Sequence, residues 1–509
     1  MKVVSAREAV REIKSGSTLG VSGFRWAGCS EALFKGLHDE FRATQQPRDL
    51  TLMFSSAPGD NVSTGLAWIA QRGLLKRVIG GFWGVTPQLM KLAVDEEIEA
   101  YNLPQGQIAR LYGAIAAGQP GLVTEIGLET YIDPRLEGGR INRRTPADLI
   151  EVVQLRGRDY LLYQSHPIHA AFIRGTVADC SGNVSVEEEA ALVESLPLAC
   201  AAHNSGGKVF VQVKRLVPDG QISPQRVEIP GHLVDYVVVA GDVETDHRQT
   251  VRSSFDRSLV GQGDPAEVIT PSELAGERLI IASRAALELK PGDVVNLGQG
   301  IPSSIPQALA GHPLATSICF TLESGVIGGI PHPVPDFGVA SHPTAMVRMD
   351  DQFMFYDGGG LDVAFLGFAE VDAEGNVNVS KFGGRFIGCG GFMDIAQPAK
   401  RLVFCGGFRA GKLDARVAGN RVTLQHSGQS PKFVGQIQQK TFSGPYAWRH
   451  GQKVTYVTER CVFELGERGL ILTEVADGID VERDILAQMD FRPQLASPLR
   501  VMKVAIPNS

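Results

Sequence analysis

Glu323 stands where an apolar segment gives way to a glycine-rich one. Residues 317–322 read Ser-Ile-Cys-Phe-Thr-Leu, and residues 324–330 read Ser-Gly-Val-Ile-Gly-Gly-Ile. If the apolar segment is a parallel strand, the carboxylate lies at its carboxyl end, where open α/β sheets bind ligands. Glutamate is ionised near neutral pH unless strongly desolvated, so it could attack an activated acyl carbon without a general base. The alternative is a structural carboxylate that accepts hydrogen bonds from turn amides.

A second glycine-rich segment, residues 383–392, could assist the same chemistry. It contains Gly388, Cys389, Gly390 and Gly391. Glycines in this number let backbone N–H groups converge on one point, where they could stabilise an oxyanion. Cys389 is an alternative nucleophile, but no histidine lies near it in the sequence, and a small buried cysteine is the commoner case.

A third pattern resembles a dinucleotide-binding fingerprint. An apolar segment, residues 294–297, leads into Gly298-Gln-Gly300, and a helix is predicted after it. Ser303 stands where the third glycine of that fingerprint belongs. The pattern leaves two interpretations open, a nucleotide-binding oxidoreductase and a tight turn between strand and helix.

Composition narrows the classes of partner. The formal charge of −7 at pH 7 argues against a nucleic-acid-binding surface. No apolar run reaches the roughly 18 residues that span a bilayer, and the first residues lack the uninterrupted apolar region of a signal peptide. The seven cysteines are scattered without a CxxC pair, and the histidines show no metal-ligand spacing. We therefore expect a cytoplasmic protein without nucleic-acid, membrane or metal partners.

The chain contains an internal duplication. Residues 6–33 align without gaps to residues 282–309, and each copy predicts a helix, a glycine turn, a short strand, a glycine-rich loop and another helix. Asp-x-x-Gly-Asn-Val recurs at residues 179–184 and 372–377, which predicts a hairpin in each half. Because the two patterns are further apart in the first half, we expect an insertion there, around residues 85–170.

The same features predict the domain organisation. A loop at residues 261–265 precedes Thr-Pro-Ser-Glu at 270–273, which is typical of a helix N-terminus. We therefore predict an N-terminal α/β domain with the insertion at 1–265 and a C-terminal α/β domain that carries Glu323 at 266–509. Both should be open α/β folds, because several short apolar segments without clean alternation are typical of buried parallel strands. These segments are residues 236–240, 280–282, 294–297 and 402–405.

Several of these segments together resemble family I CoA transferases, and in particular single-chain acetate and propionate CoA-transferases. The resemblance covers almost the whole chain. The segments are residues 321–329, 355–372 and 388–392 in the second half, and residues 77–81, 100–106 and 131–139 in the first.

The resemblance implies two fused α/β domains with the active site between them, and ping-pong chemistry on Glu323. Glu323 would attack an acyl-CoA to give an acyl-glutamyl anhydride, which returning CoA converts to a glutamyl-CoA thioester. An acceptor acid then reverses these steps. No permanently bound cofactor is implied, CoA being a substrate, and a homo-oligomer, dimer or tetramer, is expected.

The resemblance also assigns supporting residues. Amides of Gly388, Cys389, Gly390 and Gly391 would stabilise the oxyanion, together with the turn at Ser22 and Gly23. Gln105 matches a position that orients the substrate carboxylate.

Two departures from the family pattern leave the acyl preference open. The segment Phe24-Arg25-Trp26 is bulkier than expected after the Ser-Gly turn, and Phe82 stands where many relatives have histidine. The neighbouring Trp83 could belong to the core or line a pocket. Other functions to distinguish are an acyl-CoA hydrolase on the same fold, the oxidoreductase considered above, and a non-catalytic CoA or carboxylate sensor.

Overall fold

The structure is a computed structural model, and it describes residues 1–60, 62–263, 274–419 and 421–504. Helices and parallel strands alternate through much of the chain, which is the α/β architecture that the sequence predicts.

The strands of the first half are β1 Lys2–Val3, β2 Thr18–Val21, β3 Leu50–Phe54, β4 Leu75–Gly80, β5 Glu99–Asn102, β6 Gly121–Thr124, β7 Ile150–Leu155, β8 Arg158–Gln164, β9 Ala170–Arg174, β10 Val177–Asp179, β11 Val184–Ser185, β12 Lys208–Val213, β13 Arg215–Val217, β14 Val227–Ile229 and β15 Tyr236–Val239. Those of the second half are β16 Val294–Leu297, β17 Cys319–Thr321, β18 Val326–Ile327, β19 Ile330–Pro331, β20 Ala340–Ser341, β21 Ala345–Met346, β22 Val363–Leu366, β23 Glu370–Val371, β24 Val377–Asn378, β25 Lys381–Phe382, β26 Arg385–Phe386, β27 Arg401–Cys405, β28 Arg409–Ala410, β29 Leu413–Ala418, β30 Arg421–Ser427, β31 Ser430–Pro431, β32 Lys453–Val457, β33 Cys461–Gly466, β34 Gly469–Ala476 and β35 Gln494–Met502.

The α-helices are α1 Ala6–Val10, α2 Glu31–Thr44, α3 Leu66–Ile69, α4 Pro87–Val94, α5 Gln105–Ala116, α6 Ser195–Asn204, α7 Val243–Asp246, α8 Gly276–Ala286, α9 Ile305–Ala308, α10 Met349–Asp357, α11 Phe392–Ala396 and α12 Gly444–Arg449. Local sequence explains where many of them begin. Ser5 caps α1, for example, because its side chain accepts the Glu8 N–H while the Glu8 carboxylate accepts the Ser5 N–H.

The chain divides into two compact units. The first unit comprises Met1–Ala266, Leu322–Met354 and Phe386–Asp394, and the second comprises Glu267–Thr321, Phe355–Arg385 and Ile395–Ser509. The predicted boundary at residue 265 and the predicted helix start at 270–273 lie outside the described residues. The division into 1–265 and 266–509 therefore stays a prediction.

A parallel sheet forms the centre of the first unit, with strand order β1-β15-β12-β9-β2-β3-β4-β5. Strands such as β12 and β9 are buried along almost their whole length, which explains why they read as short apolar runs without alternation. The core of this unit packs α1, α2 and α4 against the sheet.

The second unit has its own parallel strands in the order β17-β16-β22-β27-β32, continued by β33, β34 and β35. If these five strands are numbered in chain order, from β16 as strand 1 to β32 as strand 5, their order in the sheet is 2-1-3-4-5. The corresponding strands of the first unit, in the order β3-β2-β9-β12-β15, follow the same 2-1-3-4-5 pattern. In sheets of this topology, ligands bind outside the carboxyl ends of strands 1 and 3, where the strand order reverses.

The duplication predicted from sequence is confirmed. β2 and β16 occupy the same place in the two aligned segments, each preceded and followed by a helix. The two predicted hairpins are confirmed as the antiparallel pairs β10–β11 and β23–β24. In each turn an asparagine amide donates to an aspartate, Asn183 to Asp179 and Asn376 to Asp372, both at 2.9 Å.

The predicted insertion around residues 85–170 contains α4, β5 and α5, and a separate antiparallel sheet of order β6-β8-β7. Trp83, just before it, is a core residue. Its indole N–H is shared between the carbonyls of Gly80 and Tyr101, at 3.1 and 3.2 Å, and its ring is fully buried.

One predicted strand is wrong. Residues 280–282 lie inside helix α8, where Ile280, Ile281 and Ala282 are buried in the core of the second unit. A short apolar run has too few residues to reveal its period, so a buried helical segment and a buried strand look alike in sequence. The strands predicted at 294–297, 402–405 and 236–240 are confirmed as β16, β27 and β15. None of the described helices is long and apolar enough to cross a bilayer.

Candidate active site

The backbone around Glu323 forms a tight turn whose polar groups are satisfied locally. The Leu322 N–H donates to the Val326 carbonyl at 2.8 Å, and the Gly325 N–H donates to the Leu322 carbonyl at 3.0 Å. Gly325 has a φ of +97°, which favours glycine, and any Cβ there would lie 2.0 Å from the Val347 carbonyl oxygen. This explains the Glu-Ser-Gly order, because the turn presents the glutamate and requires the glycine.

Glu323 is partly exposed, and its carboxylate accepts no hydrogen bond from the described residues. Within the part of the chain that the structure describes, no group donates a hydrogen bond to it, so the alternative of a turn-binding carboxylate is not what the structure contains. Desolvation by its surroundings raises the pKa of Glu323 to about 7, and the nearby Arg25 guanidinium opposes that rise. The group is therefore an accessible carboxylate that ionises near neutral pH.

Gly391 lies directly beside this carboxylate. A Cβ at Gly391 would stand 2.8 Å from Glu323 Oε2 and 3.0 Å from the ring of Phe353. The glycine is thus required for the close approach of the segment to Glu323. Sequence predicted Glu323 and the glycine segment as parts of one site, and Glu323 and residues 388–391 belong to the first unit. Phe353 gave no signal in the sequence.

The amides of the glycine segment are not all available. Cys389 N–H donates to Asn102 Oδ1 at 2.9 Å, and Gly390 N–H donates to the Gly81 carbonyl at 2.9 Å. These two predicted oxyanion donors are already used. Among the described residues, the amides of Gly388 and Gly391 have no such acceptor.

Asn102 holds this segment in place. Sequence reasoning missed this role, although Asn102 lies in the segment 100–106 that resembles the family. Its Nδ2 donates to the carbonyls of Gly80 and Gly81, at 2.8 and 2.6 Å, while its Oδ1 accepts from Cys389 and from the Tyr131 hydroxyl. One buried amide therefore connects the end of β4 to the glycine segment.

Cys389 is not suited to nucleophilic attack. Its side chain is buried, and desolvation raises the pKa of its thiol well above the ordinary value, so the thiolate is disfavoured at neutral pH.

Gln105 and Phe82 flank Gly390. The Gln105 N–H donates to the Gly390 carbonyl at 2.9 Å, and the Gln105 side-chain amide lies 3.3 Å from Met349 Sδ. A Cβ at Gly390 would be 3.5 Å from the Phe82 ring and 3.7 Å from Gln105 Oε1. Gln105 is therefore next to the segment that adjoins Glu323, and its role in orienting the substrate stays a prediction.

The turn at Ser22 and Gly23 follows β2, at the point where the strand order reverses. Ser22 is buried and its amide donates to the Phe172 carbonyl at 3.1 Å. Gly23 has a φ of +136° and passes close to Pro58. The Ser22 amide is thus engaged in the sheet, and an oxyanion role for this turn stays a prediction.

The Gly298–Gly300 pattern is a tight turn in the second unit. Gly298 N–H donates to the Phe365 carbonyl at 2.8 Å, and Ser303 Oγ donates to the Gly300 carbonyl at 2.7 Å. Helix α9 behind it is only a single turn long. A dinucleotide fingerprint relies on free amides at the start of a longer helix, so the turn interpretation is favoured over the nucleotide one.

Comparison with known proteins identifies the family to which the chain belongs. A family model described as coenzyme A transferase matches residues 3–240 and 278–483. Caffeate CoA-transferase of Acetobacterium woodii is 40% identical over 506 residues, covering 98% of this chain and 96% of the relative. Acetate CoA-transferase YdiF of Escherichia coli K12 is 39% identical over 502 residues, covering 98% and 94%.

Solved structures of a CoA transferase share the fold of this chain. The apoenzyme of the acyl-CoA transferase YdiF from Escherichia coli O157:H7 superposes with a TM-score of 0.92 at 38% identity, covering 98% of this chain and 95% of that one. The same protein as a thioester complex with CoA gives a TM-score of 0.91. The chain belongs to the coenzyme A transferase family, and it is a CoA-transferase. The family resemblance, fold class and CoA-transfer chemistry predicted from sequence are confirmed.

Proposed function

We propose that the protein transfers CoA between a short-chain acyl-CoA and a free carboxylic acid, with Glu323 as the covalent nucleophile. The observation that carries this proposal is the Glu323 carboxylate itself, which is accessible, free of hydrogen bonds within the described residues, and adjoined by Gly391. A nucleophile needs an unengaged oxygen, and the Glu323 carboxylate accepts no hydrogen bond from the described residues.

The chemistry proceeds in two exchanges for each half-reaction. A Glu323 oxygen attacks the thioester carbonyl carbon of the donor, a C–O bond forms, the C–S bond breaks, and CoA leaves as the thiolate. The thiolate then attacks the Glu323 carbonyl carbon of the anhydride, a C–S bond forms, and the donor acid leaves with the anhydride oxygen. The acceptor acid repeats both steps in reverse and restores the Glu323 carboxylate.

The surroundings of Glu323 support this sequence of steps. Partial desolvation makes the carboxylate more reactive than it would be in water, and the pKa of about 7 still leaves it substantially ionised near neutral pH. The amides of Gly391 and Gly388 are the candidate donors to the oxyanion that develops on each attacked carbonyl, with Asn102 fixing the segment between them. We propose that the Ser22–Gly23 turn and Gln105 act on the substrate side, as the resemblance implies.

We propose an acetate-, propionate- or acetoacetate-like acid as the substrate. The relatives bear names for acetate and for caffeate, which differ greatly in size. Phe82 lies partly exposed beside Gly390 and would contact an acyl group held there. A cytoplasmic location, a homo-oligomeric state and the lack of a permanently bound cofactor stay predictions from sequence.

The direct test is an exchange assay with a panel of acyl-CoA donors and free acids, caffeate included, that measures each new thioester. A transferase makes the new acyl-CoA only when the acceptor is present, whereas a hydrolase releases free CoA without it. Glu323→Gln and Glu323→Asp should lose at least about 1,000-fold in turnover, while the exposed-turn variant Glu467→Gln should match the wild type. Full exchange by Glu323→Gln would refute the proposal.

A further inference from the structure

A tight turn presents Arg25 in the first unit. Phe24 N–H donates to the Ala27 carbonyl at 2.8 Å, and Ala27 N–H returns a bond to Phe24 at 3.1 Å. Arg25 has a φ of +53°, in the left-handed region that costs an L-residue about 1 kcal/mol, and its carbonyl accepts the Gly59 N–H at 2.7 Å. Such strain in a non-glycine residue often marks a functional position.

Arg25 is a buried cation that two carboxylates attract. Only 8% of the residue is exposed, and the acids that attract it are Asp336 and Glu323. Asp336 has other partners, because it accepts the Val251 N–H at 2.9 Å and lies 3.7 Å from Arg252 Nε. Glu323 receives no hydrogen bond from the described residues, so its interaction with Arg25 is electrostatic.

The Arg25 turn and the Glu323 turn pack against the same segment. The Phe24 ring lies so close to Gly338 that a Cβ there would be 2.2 Å from it, and the Gly338 carbonyl accepts the Ser324 hydroxyl at 2.5 Å. Ser324 is the residue after Glu323. Phe24, Gly338 and Ser324 therefore connect the turn that carries Arg25 to the turn that carries Glu323.

We propose that Arg25 binds the carboxylate of the acceptor acid once Glu323 has become a CoA thioester. The inference rests on the proposed function, and it follows from charge balance. Formation of the thioester removes the negative charge of Glu323, so the buried Arg25 loses one of the carboxylates that attract it. Loss of a counter-charge around a buried cation is costly, so an incoming carboxylate is favoured at the place that the Glu323 charge has vacated.

The binding step places the acceptor for attack. One carboxylate oxygen bonds to the guanidinium while the other attacks the Glu323 thioester carbon, so that a C–O bond forms, the C–S bond breaks and CoA leaves as the thiolate. Water carries no charge, so its interaction with this cation is weaker than that of a carboxylate. Arg25 thereby favours transfer to an acid over hydrolysis, and it selects anionic acceptors over neutral ones.

The experiment separates the second half-reaction from the first. Enzyme is loaded with acetyl-CoA, the glutamyl-CoA form is isolated by rapid desalting, and its loss is followed with acetate or with hydroxylamine, a neutral nucleophile. The variants are Arg25→Met, Arg25→Gln and Arg25→Lys, and the control is Arg252→Met, which removes a cation from the exposed side of the same Asp336.

In Arg25→Met the acetate rate at low acetate should fall on the order of 30-fold or more, while the hydroxylamine rate stays within about threefold. Arg25→Lys should recover part of the acetate rate, and Arg252→Met should match the wild type. Should Arg25→Met fail to fold, Arg25→Gln gives the same ratio of the two rates.

An unchanged ratio of acetate to hydroxylamine rates in Arg25→Met or Arg25→Gln would overturn the proposal, and so would an equal fall in both rates. Failure of the proposed function looks different, because wild-type enzyme would then form no thioester with acetyl-CoA or any other donor. That result would remove both proposals, whereas a normal thioester with an unchanged ratio removes only the role of Arg25.

Discussion

Glu323 and Glu194 are two carboxylates in the first unit whose surroundings differ in one decisive respect. Desolvation raises the pKa of both, to about 7 for Glu323 and about 8 for Glu194. Glu194 is fully buried and accepts a hydrogen bond from Ser55 Oγ at 2.5 Å. Glu323 is accessible and has no such partner among the described residues. A raised pKa alone therefore does not identify the nucleophile, since only the accessible acid can meet a substrate.

The internal duplication places Glu323 and Ser55, the hydrogen-bond partner of Glu194, after corresponding strands of the two halves. Glu323 follows β17, the second core strand of its half, and Ser55 follows β3, the second core strand of the other. The same place in the fold thus holds the proposed nucleophile Glu323 in one half, and in the other half it holds Ser55, whose hydroxyl donates to the buried Glu194. The fold is repeated, but in the proposed mechanism only one copy supplies the nucleophile.

Apart from replacement of Glu323 itself, the largest loss of turnover should come from closing the space beside its carboxylate. In Gly391→Ala the new methyl group would stand 2.8 Å from Glu323 Oε2, so the carboxylate must move. We expect turnover to fall about 100-fold, the loss typical of a displacement of about 1 Å at a reacting group. The matched control is Gly113→Ala in α5, where a Cβ meets nothing within 4 Å. Wild-type turnover in Gly391→Ala would show that Gly391 does not border the reacting group.

The second effect is on pH dependence. Attack requires the ionised carboxylate, so kcat/KM should fall tenfold per pH unit below an apparent pKa near 7. Arg25 lowers the Glu323 pKa, so Arg25→Met should shift this limb to higher pH, while Arg252→Met should leave it in place. The measurement is a pH–rate profile for all three proteins. An acid limb near pH 4.5 in the wild type would mean that Glu323 is not desolvated.

The third prediction concerns the buried Glu194 and the pH dependence of the free energy of unfolding. Because the folded-state pKa of Glu194 is about 8, against an ordinary value of 4.5, the native state keeps its proton over a pH range in which the unfolded chain releases it. The free energy of unfolding should therefore fall as pH rises from 4.5 to 8. Glu194→Gln cannot titrate, so relative to the wild type it should gain on the order of a few kcal/mol between these pH values.

Denaturant unfolding of both proteins at pH 5, 6.5 and 8 measures this gain. Asp350, whose pKa desolvation raises to about 6, titrates in both proteins and so cancels from the difference. Parallel pH dependences for wild type and Glu194→Gln would contradict the assignment of a protonated Glu194.

The smallest effect concerns the duplicated hairpins. Asn183 accepts the Gly231 N–H at 2.9 Å, and Asn376 accepts the Gly444 N–H at 3.0 Å, so each asparagine joins its hairpin to a distant segment. Alanine at either position should cost about 1–3 kcal/mol of unfolding free energy. Asn376, only 2% exposed, should cost more than the partly exposed Asn183. Thermal unfolding of the two variants compares them, and the reverse order would contradict the burial argument.

Much of the fold could be predicted because its signals are local. Short apolar runs identified β15, β16 and β27, and the Asp-x-x-Gly-Asn turns identified both hairpins. The segment 280–282 failed because three apolar residues carry no period, and burial in α8 looks the same in sequence as burial in a sheet.

In the candidate site, too, the features set by local sequence could be predicted and those set by tertiary contacts could not. Glu323 and its glycine neighbours could be predicted from their order in the chain. The engagement of the Cys389 amide by Asn102 could not, because the two residues are 287 positions apart and meet only in the folded protein. The attraction between Arg25 and Glu323 likewise depends on tertiary structure, although the unusual Phe-Arg-Trp segment marked the position as different.

We propose that CoA becomes covalently bonded to the Glu323 carboxylate and to no other group of the protein. Peptide mass spectrometry after incubation with an acyl-CoA tests it, because borohydride reduction or hydroxylamine converts a glutamyl-CoA thioester into a stable mark on one residue. We expect the mark on Glu323 and its disappearance in Glu323→Gln, with Glu194 and Cys389 unmodified. A mark on Cys389, or turnover with no mark on Glu323, would contradict it.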